Sequence, residues 1–330
     1  MRRFGRSGLA IVGAVTLLLG PQMAFAQGGS KTPLIGLLHA GDESPSAITS
    51  GFRQGLKDLG YAEGNNVHIE SRWARGRLDR LDDLAAELVR LKVDVIVAAV
   101  TQPSLAAKAA TRTIPVVMIG VADPVGVGLI PSLARPEGNV TGTSTQQANM
   151  VAKQVELLKE ADPTLVRLGV LWNPTNTAFQ KLQLDEAQAA ARASGIALTL
   201  FAASTPDDFE PVFASMREGS TRALLILADP FFALRRGDLA GLAVRDRLLT
   251  ACGSRDFSEA GCLISYGPSY FEAGRRAASY VHKILRGANP SDLPVEQPTT
   301  FHLIINANTA KAVGLSITPT LLARADEVIE

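Results

Sequence analysis

The sequence predicts an α/β protein made of two lobes, each built around a doubly wound parallel sheet. Short, continuously apolar segments such as residues 34–38 are typical of strands buried on both faces. Between them lie segments such as 78–91, whose leucines recur at helical spacing and predict amphipathic helices. This alternation stops near Ser144 and then restarts, which favours two units of about equal size over one large sheet.

In the first half, Ser44 or Ser46 is the expected N-cap of a helix that ends at Gly60. Strands are predicted at residues 34–38, 67–73, 93–100 and 116–121. The last of these ends at Asp123-Pro124, where proline cannot continue the ladder. The small, hydroxyl-rich stretch 139–144 is expected to open the next helix and to form a first hinge between the lobes.

The second half repeats the strand–helix order, and the end of the chain is predicted to be a small helix. Strands are predicted at residues 168–172, 196–201, 223–228, 248–252, 262–266 and 301–305. We expect residues 31–143 with about 267–290 to form lobe 1. We expect residues 144–266 with about 291–330 to form lobe 2, with a ligand cleft between the lobes.

Residues 1–26 have the pattern of a secretory signal peptide. Three arginines precede an apolar stretch at residues 9–19, and Ala-Phe-Ala at 24–26 is a small-x-small cleavage site. The apolar stretch is too short to span a bilayer well, so a membrane anchor is the weaker interpretation. Removing this segment leaves 30 basic and 32 acidic residues, which argues against nucleic acid or an anionic membrane as a partner. The predicted location is the periplasm.

Two cysteines, Cys252 and Cys262, would occupy an oxidising compartment after export. Their spacing allows a disulfide closing a small loop, which the chain-entropy model values at roughly 2–3 kcal/mol. Two buried thiols are the alternative, and the sequence favours neither.

Motifs of catalysis are missing from the sequence. None of the four histidines pairs at zinc-ligand spacing, and neither His-Glu-x-x-His nor Gly-x-Ser-x-Gly occurs. The Gly-Val-Gly at 126–128 does not continue as a dinucleotide-binding fingerprint, and a Gly-Lys-Ser phosphate loop is absent. Asp123 and Asp229 could form an acid/base pair, but their positions suit solute binding equally well. We therefore expect a protein that is not an enzyme and has no cofactor or metal.

Short polar side chains stand where the predicted strands end. Because ligands of parallel sheets bind beyond the carboxyl ends of the strands, these side chains are candidates for binding a small polar solute from both lobes. The candidates are His39, Thr101, Gln102, Asp123, Thr143, Ser144, Asn173, Asp229 and Tyr266. Alternatively, each of these side chains could stabilise the local turn or cap the next helix.

Five longer sequence stretches identify a protein family more specifically than the single polar residues do. They are Val-Ala-Asp-Pro-Val-Gly-Val-Gly-Leu at 121–129, Ser-Leu-Ala-Arg-Pro-Glu-Gly-Asn-Val-Thr-Gly at 132–142, Ser-Tyr-Gly-Pro at 265–268, Asp-Leu-Pro-Val-Glu-Gln-Pro-Thr at 292–299 and Leu-Leu-Ala-Arg-Ala-Asp-Glu at 321–327. Together they resemble the ABC-transporter substrate-binding family that includes tryptophan- and tyrosine-type binding proteins. The resemblance extends over essentially the whole mature chain.

This resemblance implies a type I periplasmic-binding fold, with two lobes joined by a three-strand hinge. It also implies a monomeric solute receptor that closes on an amino-acid-like solute, aromatic in the best-attested members, and delivers it to an inner-membrane ABC permease driven by a separate ATPase. A periplasmic ligand sensor that signals to a membrane receptor is the alternative. Family binding positions correspond here to His39, Thr101, Asp123, Ser144, Asp229 and Tyr266.

The chain departs from the family at two positions, with Cys252 in place of the usual tyrosine and Cys262 in place of glycine. The rings that could stack on a solute are Trp172, Phe231, Phe232 and Tyr266. We expect Asp123 to bind an amino group or hydroxyl, and Thr101 and Ser144 to bind a carboxylate or another polar end of the solute. On this hypothesis Asp123→Ala lowers the affinity without unfolding the protein.

Overall fold

A computed structural model describes residues 32–145 and 150–330, apart from the side chains at 178–179. The expected signal peptide, residues 1–26, lies outside these ranges. Within them, no helix is both long enough and apolar enough to cross a membrane.

Lobe 1 is built on a five-stranded sheet in which every pair of neighbouring strands is parallel. The strands are β1 (Leu34–His39), β2 (His68–Trp73), β3 (Val95–Ala99), β4 (Val116–Val121) and β5 (Val140–Ser144). The helices of this half are α1 (Ala47–Asp58), α2 (Leu81–Arg90) and α3 (Thr101–Ala110). The strand order is β2-β1-β3-β4-β5, a doubly wound arrangement whose switch point lies between β1 and β3.

Lobe 2 contains a seven-stranded sheet ordered β12-β11-β10-β9-β8-β6-β7, in which only β10 and β11 are antiparallel. Its strands are β6 (Arg167–Trp172), β7 (Ala197–Ala202), β8 (Ala223–Ile226), β9 (Leu249–Cys252), β10 (Ile264–Gly267), β11 (His302–Asn306) and β12 (Glu327–Ile329). The remaining helices are α4 (Val151–Ala161), α5 (Thr177–Ala193), α6 (Phe209–Glu218), α7 (Pro230–Leu234), α8 (Arg236–Arg245), α9 (Arg255–Glu259), α10 (Tyr270–Leu285), α11 (Ala307–Val313) and α12 (Pro319–Arg324). Five of its strands, β7-β6-β8-β9-β10, repeat the order of lobe 1.

Each sheet separates two apolar cores, as expected of a layered α/β lobe. In lobe 1, α2 and α3 cover one face, and α1 covers the other together with α10, which returns from the second half of the chain. In lobe 2, α4, α5, α11 and α12 cover one face, while α6 to α9 cover the other. The predicted fold class, two doubly wound lobes, is confirmed.

Two predicted elements are corrected. The stretch 139–144, expected to open a helix, forms the buried strand β5 instead. Its hydroxyl groups are compatible with a buried strand because they find partners: Thr143 Oγ1 accepts from the N–H of Gly120, and Thr141 Oγ1 donates to the carbonyl of Leu293 at 2.6 Å. The chain end is also not purely helical, since β12 follows α12 and pairs with β11.

Three connections join the lobes, following β5, β10 and the segment that ends at Glu296. That last segment lies along β5. The N–H of Ser144 donates to the carbonyl of Glu296 at 2.9 Å, and the N–H of Glu296 donates to the carbonyl of Gly142 at 3.1 Å. Val295 is buried in a core of lobe 1. The boundary expected near residue 291 therefore moves to a position after Glu296.

Helices α1 and α10 pack so closely that their backbones touch. A β-carbon at Gly51 would lie 2.0 Å from the carbonyl oxygen of Phe271, and one at Gly274 would lie 2.2 Å from that of Ile48. Both distances are shorter than any van der Waals contact, so this helix pair requires glycine at these positions.

Candidate functional site

A cavity of about 170 Å³ lies between the lobes at the carboxyl ends of their strands. Lobe 1 contributes the loops after β1 and β3, which flank its switch point, and lobe 2 contributes the loops after β8 and β9. Because both lobes form its walls, a solute held there would contact both. This is the arrangement expected of a small-molecule site in a doubly wound fold.

Two helices of lobe 1 begin at the cavity. Ser46, the N-cap of α1, and Thr101, the first residue of α3, both line it. The first N–H groups of a helix have no partners within the helix, and its dipole favours negative charge there. At α1 the N–H of Ala47 already donates to Asp256 and that of Thr49 to Ser46, so the start of α3 provides the donors best suited to a carboxylate.

Val100 precedes α3 with φ 66° and ψ −172°, a conformation that β-branched residues rarely adopt. Such strain costs on the order of 1–3 kcal/mol and tends to occur at binding sites. Val100 also lines the cavity, and its strained backbone sets the direction in which α3 starts. Nothing in the sequence indicated this residue.

His39 contributes a neutral ring to the lobe 1 wall. Its Nδ1 accepts from the N–H of Gly41 at 2.7 Å, which places the ring proton on Nε2. Burial lowers the pKa of His39 to about 4, an effect that Asp42 partly opposes. Nε2 is itself buried and has no hydrogen-bond partner among the described residues. The ring packs against Trp73, with the centroids 5.1 Å apart.

Asp229 is the buried carboxylate of the lobe 2 wall. Its Oδ1 accepts from Asn173 Nδ2 at 3.1 Å and from the N–H of Phe231 at 2.8 Å, and its Oδ2 accepts from Asn176 Nδ2 at 2.8 Å. Burial raises the pKa of Asp229, and these donors work against that rise. The carboxylate thus organises the start of α7 and holds the amide of Asn176.

A side-chain hydrogen bond crosses directly from lobe to lobe. Gln102 Nε2, in the first turn of α3, donates to Asn176 Oδ1 just before α5. Leu234 of lobe 2 adds an apolar contact, since β-carbons built at Gly41 and Gly76 of lobe 1 would lie 3.7 and 3.3 Å from its methyl groups. The lobes are therefore closed on each other.

Asp256, Phe257 and Tyr270 line the cavity, although sequence reasoning selected none of them. Burial raises the pKa of Asp256, while the positive charge of nearby Arg236 and the N–H of Ala47 lower it. Asp256 and Tyr270 also border a second cavity of about 280 Å³ beside the second connection. The usable signal was Gly253-Ser254, a polar turn directly after β9.

Four of the nine predicted site residues line the cavity: His39, Thr101, Gln102 and Asp229. The others, Asp123, Thr143, Ser144, Asn173 and Tyr266, do not line it. Asp123 stabilises the turn in which it lies, because its Oδ1 accepts from the N–H of Gly126 at 2.8 Å. Thr143 and Ser144 hydrogen-bond within lobe 1, and Asn173 faces Asp229.

The rings proposed to stack on a solute lie elsewhere. Tyr266 stacks on Phe301 with the centroids 6.0 Å apart, and Phe231 packs against Phe209 and Phe232. Trp172 packs against a core of lobe 2. Beside the ring of His39, the aromatic side chains that line the cavity are those of Phe257 and Tyr270.

Cys252 and Cys262 are both buried, and their thiols are free in this structure. Both Sγ atoms approach the carbonyl of Ile264, at 3.5 and 3.4 Å. Burial raises the pKa of Cys252. No group of three or more metal-ligating side chains occurs in the described ranges.

Solved structures resemble the chain over about nine-tenths of its length. A conserved domain protein from Vibrio cholerae matches with a TM-score of 0.84 and 29% identity, over 90% of this chain and 100% of the other. An ABC domain from Streptococcus pneumonia in complex with L-Trp matches with a TM-score of 0.82 and 25% identity, over 91% of this chain and 100% of the other.

A third match is the ligand-free, open structure of CD0873, a substrate-binding protein from Clostridium difficile. Its TM-score is 0.65 and its identity 26%, over 90% of this chain and 99% of the other. That structure is an open form, whereas the lobes of the present structure contact each other through Gln102 and Asn176.

Sequence comparison identifies the family. The tyrosine-binding protein of Clostridioides difficile is 29% identical over 265 residues, which cover 80% of this chain and 76% of that protein. The family model for the ABC transporter substrate binding protein matches residues 40–329. The resemblance seen in the five sequence stretches is thereby confirmed, and this chain belongs to the ABC transporter substrate-binding protein family.

Proposed function

We propose that this protein is the solute receptor of an ABC importer. It captures a small amino-acid-like solute in the periplasm, after removal of residues 1–26, and delivers it to a membrane permease energised by a separate ATPase. The observation that carries this proposal is the cavity of about 170 Å³ enclosed by both lobes. The protein itself performs no chemistry on the solute.

The chemistry of the cavity supports an amino acid with a ring. A cavity of about 150 Å³ suffices for benzene, so the observed volume fits a ring with a short polar end. Phe257 and Tyr270 provide aromatic surface, and the start of α3 provides donors for a carboxylate. Asp256 is placed to accept from an ammonium group. The tyrosine-binding relative and the L-Trp complex support the same class of solute.

Closure is the proposed mechanism. Contacts made only when both lobes reach the solute favour the closed state over the open one, and the solute shifts the equilibrium by that difference in affinity. The closed shape would then be the form that the permease recognises.

A thermal-shift experiment on the mature protein tests this function. We expect L-tryptophan or L-tyrosine to raise the melting temperature, because a ligand at a hundred times its Kd stabilises the folded state by about 2.7 kcal/mol. Sugars and aliphatic amino acids serve as controls in the same buffer. Protein unfolded and refolded before the assay removes any co-purified solute. Stabilisation by a sugar instead of any amino acid would contradict the proposed solute class.

Phe257→Leu should selectively weaken the binding of aromatic solutes. The substitution removes a ring but keeps most of the apolar volume, and an aromatic pair is worth about 0.5–1.5 kcal/mol beyond burial. We expect the Kd for L-tryptophan to rise roughly threefold to tenfold in titration calorimetry. Phe213→Leu is the matched control, since Phe213 is fully buried in the same core without lining the cavity. Equal effects of the two substitutions would exclude a ring contact by Phe257.

A further inference from the structure

Gln102, Asn176 and Asp229 form a continuous hydrogen-bonded path from lobe 1 into the interior of lobe 2. Gln102 donates to Asn176, and Asn176 donates to Asp229 at 2.8 Å. We propose that these three residues are an interlobe latch, which stabilises the closed conformation whether or not a solute is bound. The proposal deepens the proposed function, because it assumes that the lobes open and close during solute capture.

The chemistry of the path fixes its direction. An ionised carboxylate only accepts hydrogen bonds, so Asn176 must turn its amide nitrogen toward Asp229. The amide oxygen of Asn176 then faces lobe 1, where only a donor can satisfy it. Gln102 presents that donor from the first turn of α3. The latch is therefore assembled in lobe 2 and completed by a single side chain of lobe 1.

Lobe 2 holds its part of the latch rigidly. Asn173 and the N–H of Phe231 occupy the other oxygen of Asp229, and Asn173 is fixed in turn by Thr175, whose Oγ1 donates to it at 2.8 Å. Asp229, Asn173 and Asn176 are all buried. Both oxygens of Asp229 are thus engaged within the protein, so its role is to orient Asn176 and not to bind the solute.

The latch is strong enough to shift the conformational equilibrium but too weak to lock it. On opening, water replaces the partner of Gln102 and of Asn176, so the net value of the hydrogen bond is small. A typical net value corresponds to a factor of about five in the ratio of closed to open molecules. The contact of Leu234 with Gly41 and Gly76 adds to this preference.

Small-angle X-ray scattering of the solute-free protein tests the latch directly. We expect Gln102→Ala to increase the radius of gyration relative to wild type, because the open form becomes more populated. Gln102→Glu should increase it further, since an ionised carboxylate cannot donate to Asn176 Oδ1. Gln54→Ala is the matched control, because Gln54 lies on the exposed face of α1 and hydrogen-bonds only locally, to Asp58 at 2.7 Å. Scattering profiles of both Gln102 variants that superpose on wild type would overturn the proposal.

Stopped-flow kinetics with L-tryptophan as the probe give a second readout. Loss of the latch should raise the dissociation rate about fivefold in Gln102→Ala, with little change in the association rate. An unchanged dissociation rate would count against the latch. The scattering experiment uses no solute, so the latch can fail while L-tryptophan binds, and the proposed solute class can fail while the latch is upheld.

Discussion

Gly274→Ala is expected to destabilise lobe 1 by about 3 kcal/mol, although alanine is the better helix former. In an unobstructed helix the same change stabilises by roughly 1 kcal/mol. Here the added β-carbon would lie 2.2 Å from the carbonyl oxygen of Ile48 and 2.9 Å from the backbone nitrogen of Phe52. Backbone cannot rotate away as a side chain can, so α1 and α10 must separate along their whole contact. The core between them would then lose its close packing.

The chain offers a control for this prediction. Gly241 lies on the exposed side of α8, and a β-carbon placed there would have nothing within 4 Å, so Gly241→Ala should stabilise slightly. Each lobe has one tryptophan, Trp73 in lobe 1 and Trp172 in lobe 2. Urea unfolding followed by fluorescence therefore reports lobe 1 alone in a Trp172→Phe background, which is used for Gly274→Ala. It reports lobe 2 alone in a Trp73→Phe background, which is used for Gly241→Ala. An unchanged midpoint for Gly274→Ala would show that the helices do not pack as described.

The second large effect concerns the dependence of stability on pH, where His39 and Glu186 act in opposite directions. Burial lowers the pKa of His39 from 6.5 to about 4. Between pH 6.5 and 4 the unfolded chain binds a proton there that the folded protein does not, so stability falls with falling pH. The full shift corresponds to about 3 kcal/mol.

Glu186 on α5 opposes the effect of His39 on the pH dependence of stability. Burial raises its pKa from 4.5 to about 7, although hydrogen bonds from the N–H groups of Ala152 and Val151 lower the pKa in part. Its contribution is fully present below pH 4.5 and is lost as pH rises to 7. Because solvent screens this half-buried carboxyl, the loss amounts to about 2 kcal/mol. The two contributions therefore largely cancel between pH 4.5 and 6.5, so this pair of groups adds little net dependence of stability on pH.

Single variants should separate the two contributions. We expect Glu186→Gln to lose about 3 kcal/mol of stability between pH 6.5 and 4, because His39 then acts alone. His39→Gln should show the opposite slope and gain stability as pH falls from 7 to 4.5. Urea unfolding at half-unit pH steps measures both slopes, with Asp123→Ala as a cleft-distant control. Parallel profiles for all variants would contradict the shifted pKa values.

Much of the candidate site followed from one rule, that ligands bind beyond the carboxyl ends of parallel strands. Of the residues that this rule selected, His39, Thr101 and Asp229 line the cavity. It also selected Asp123 and Tyr266, because the sequence does not reveal which strands are neighbours at the switch point. Although Gly120 at the end of β4 and Tyr270 after β10 line the cavity, Asp123 and Tyr266 themselves do not.

The sequence alone determined the alternation of strands and helices, the division into two lobes and the family, since each depends on local periodicity or on contiguous motifs. It misread residues 139–144 because a buried strand rich in hydroxyl groups resembles a helix cap until its partners are known. Only the tertiary structure decided the strand order, the contact between α1 and α10 and the pairing of Gln102 with Asn176. These depend on which distant segments meet, and side chains 74 positions apart leave no periodic signal in the sequence.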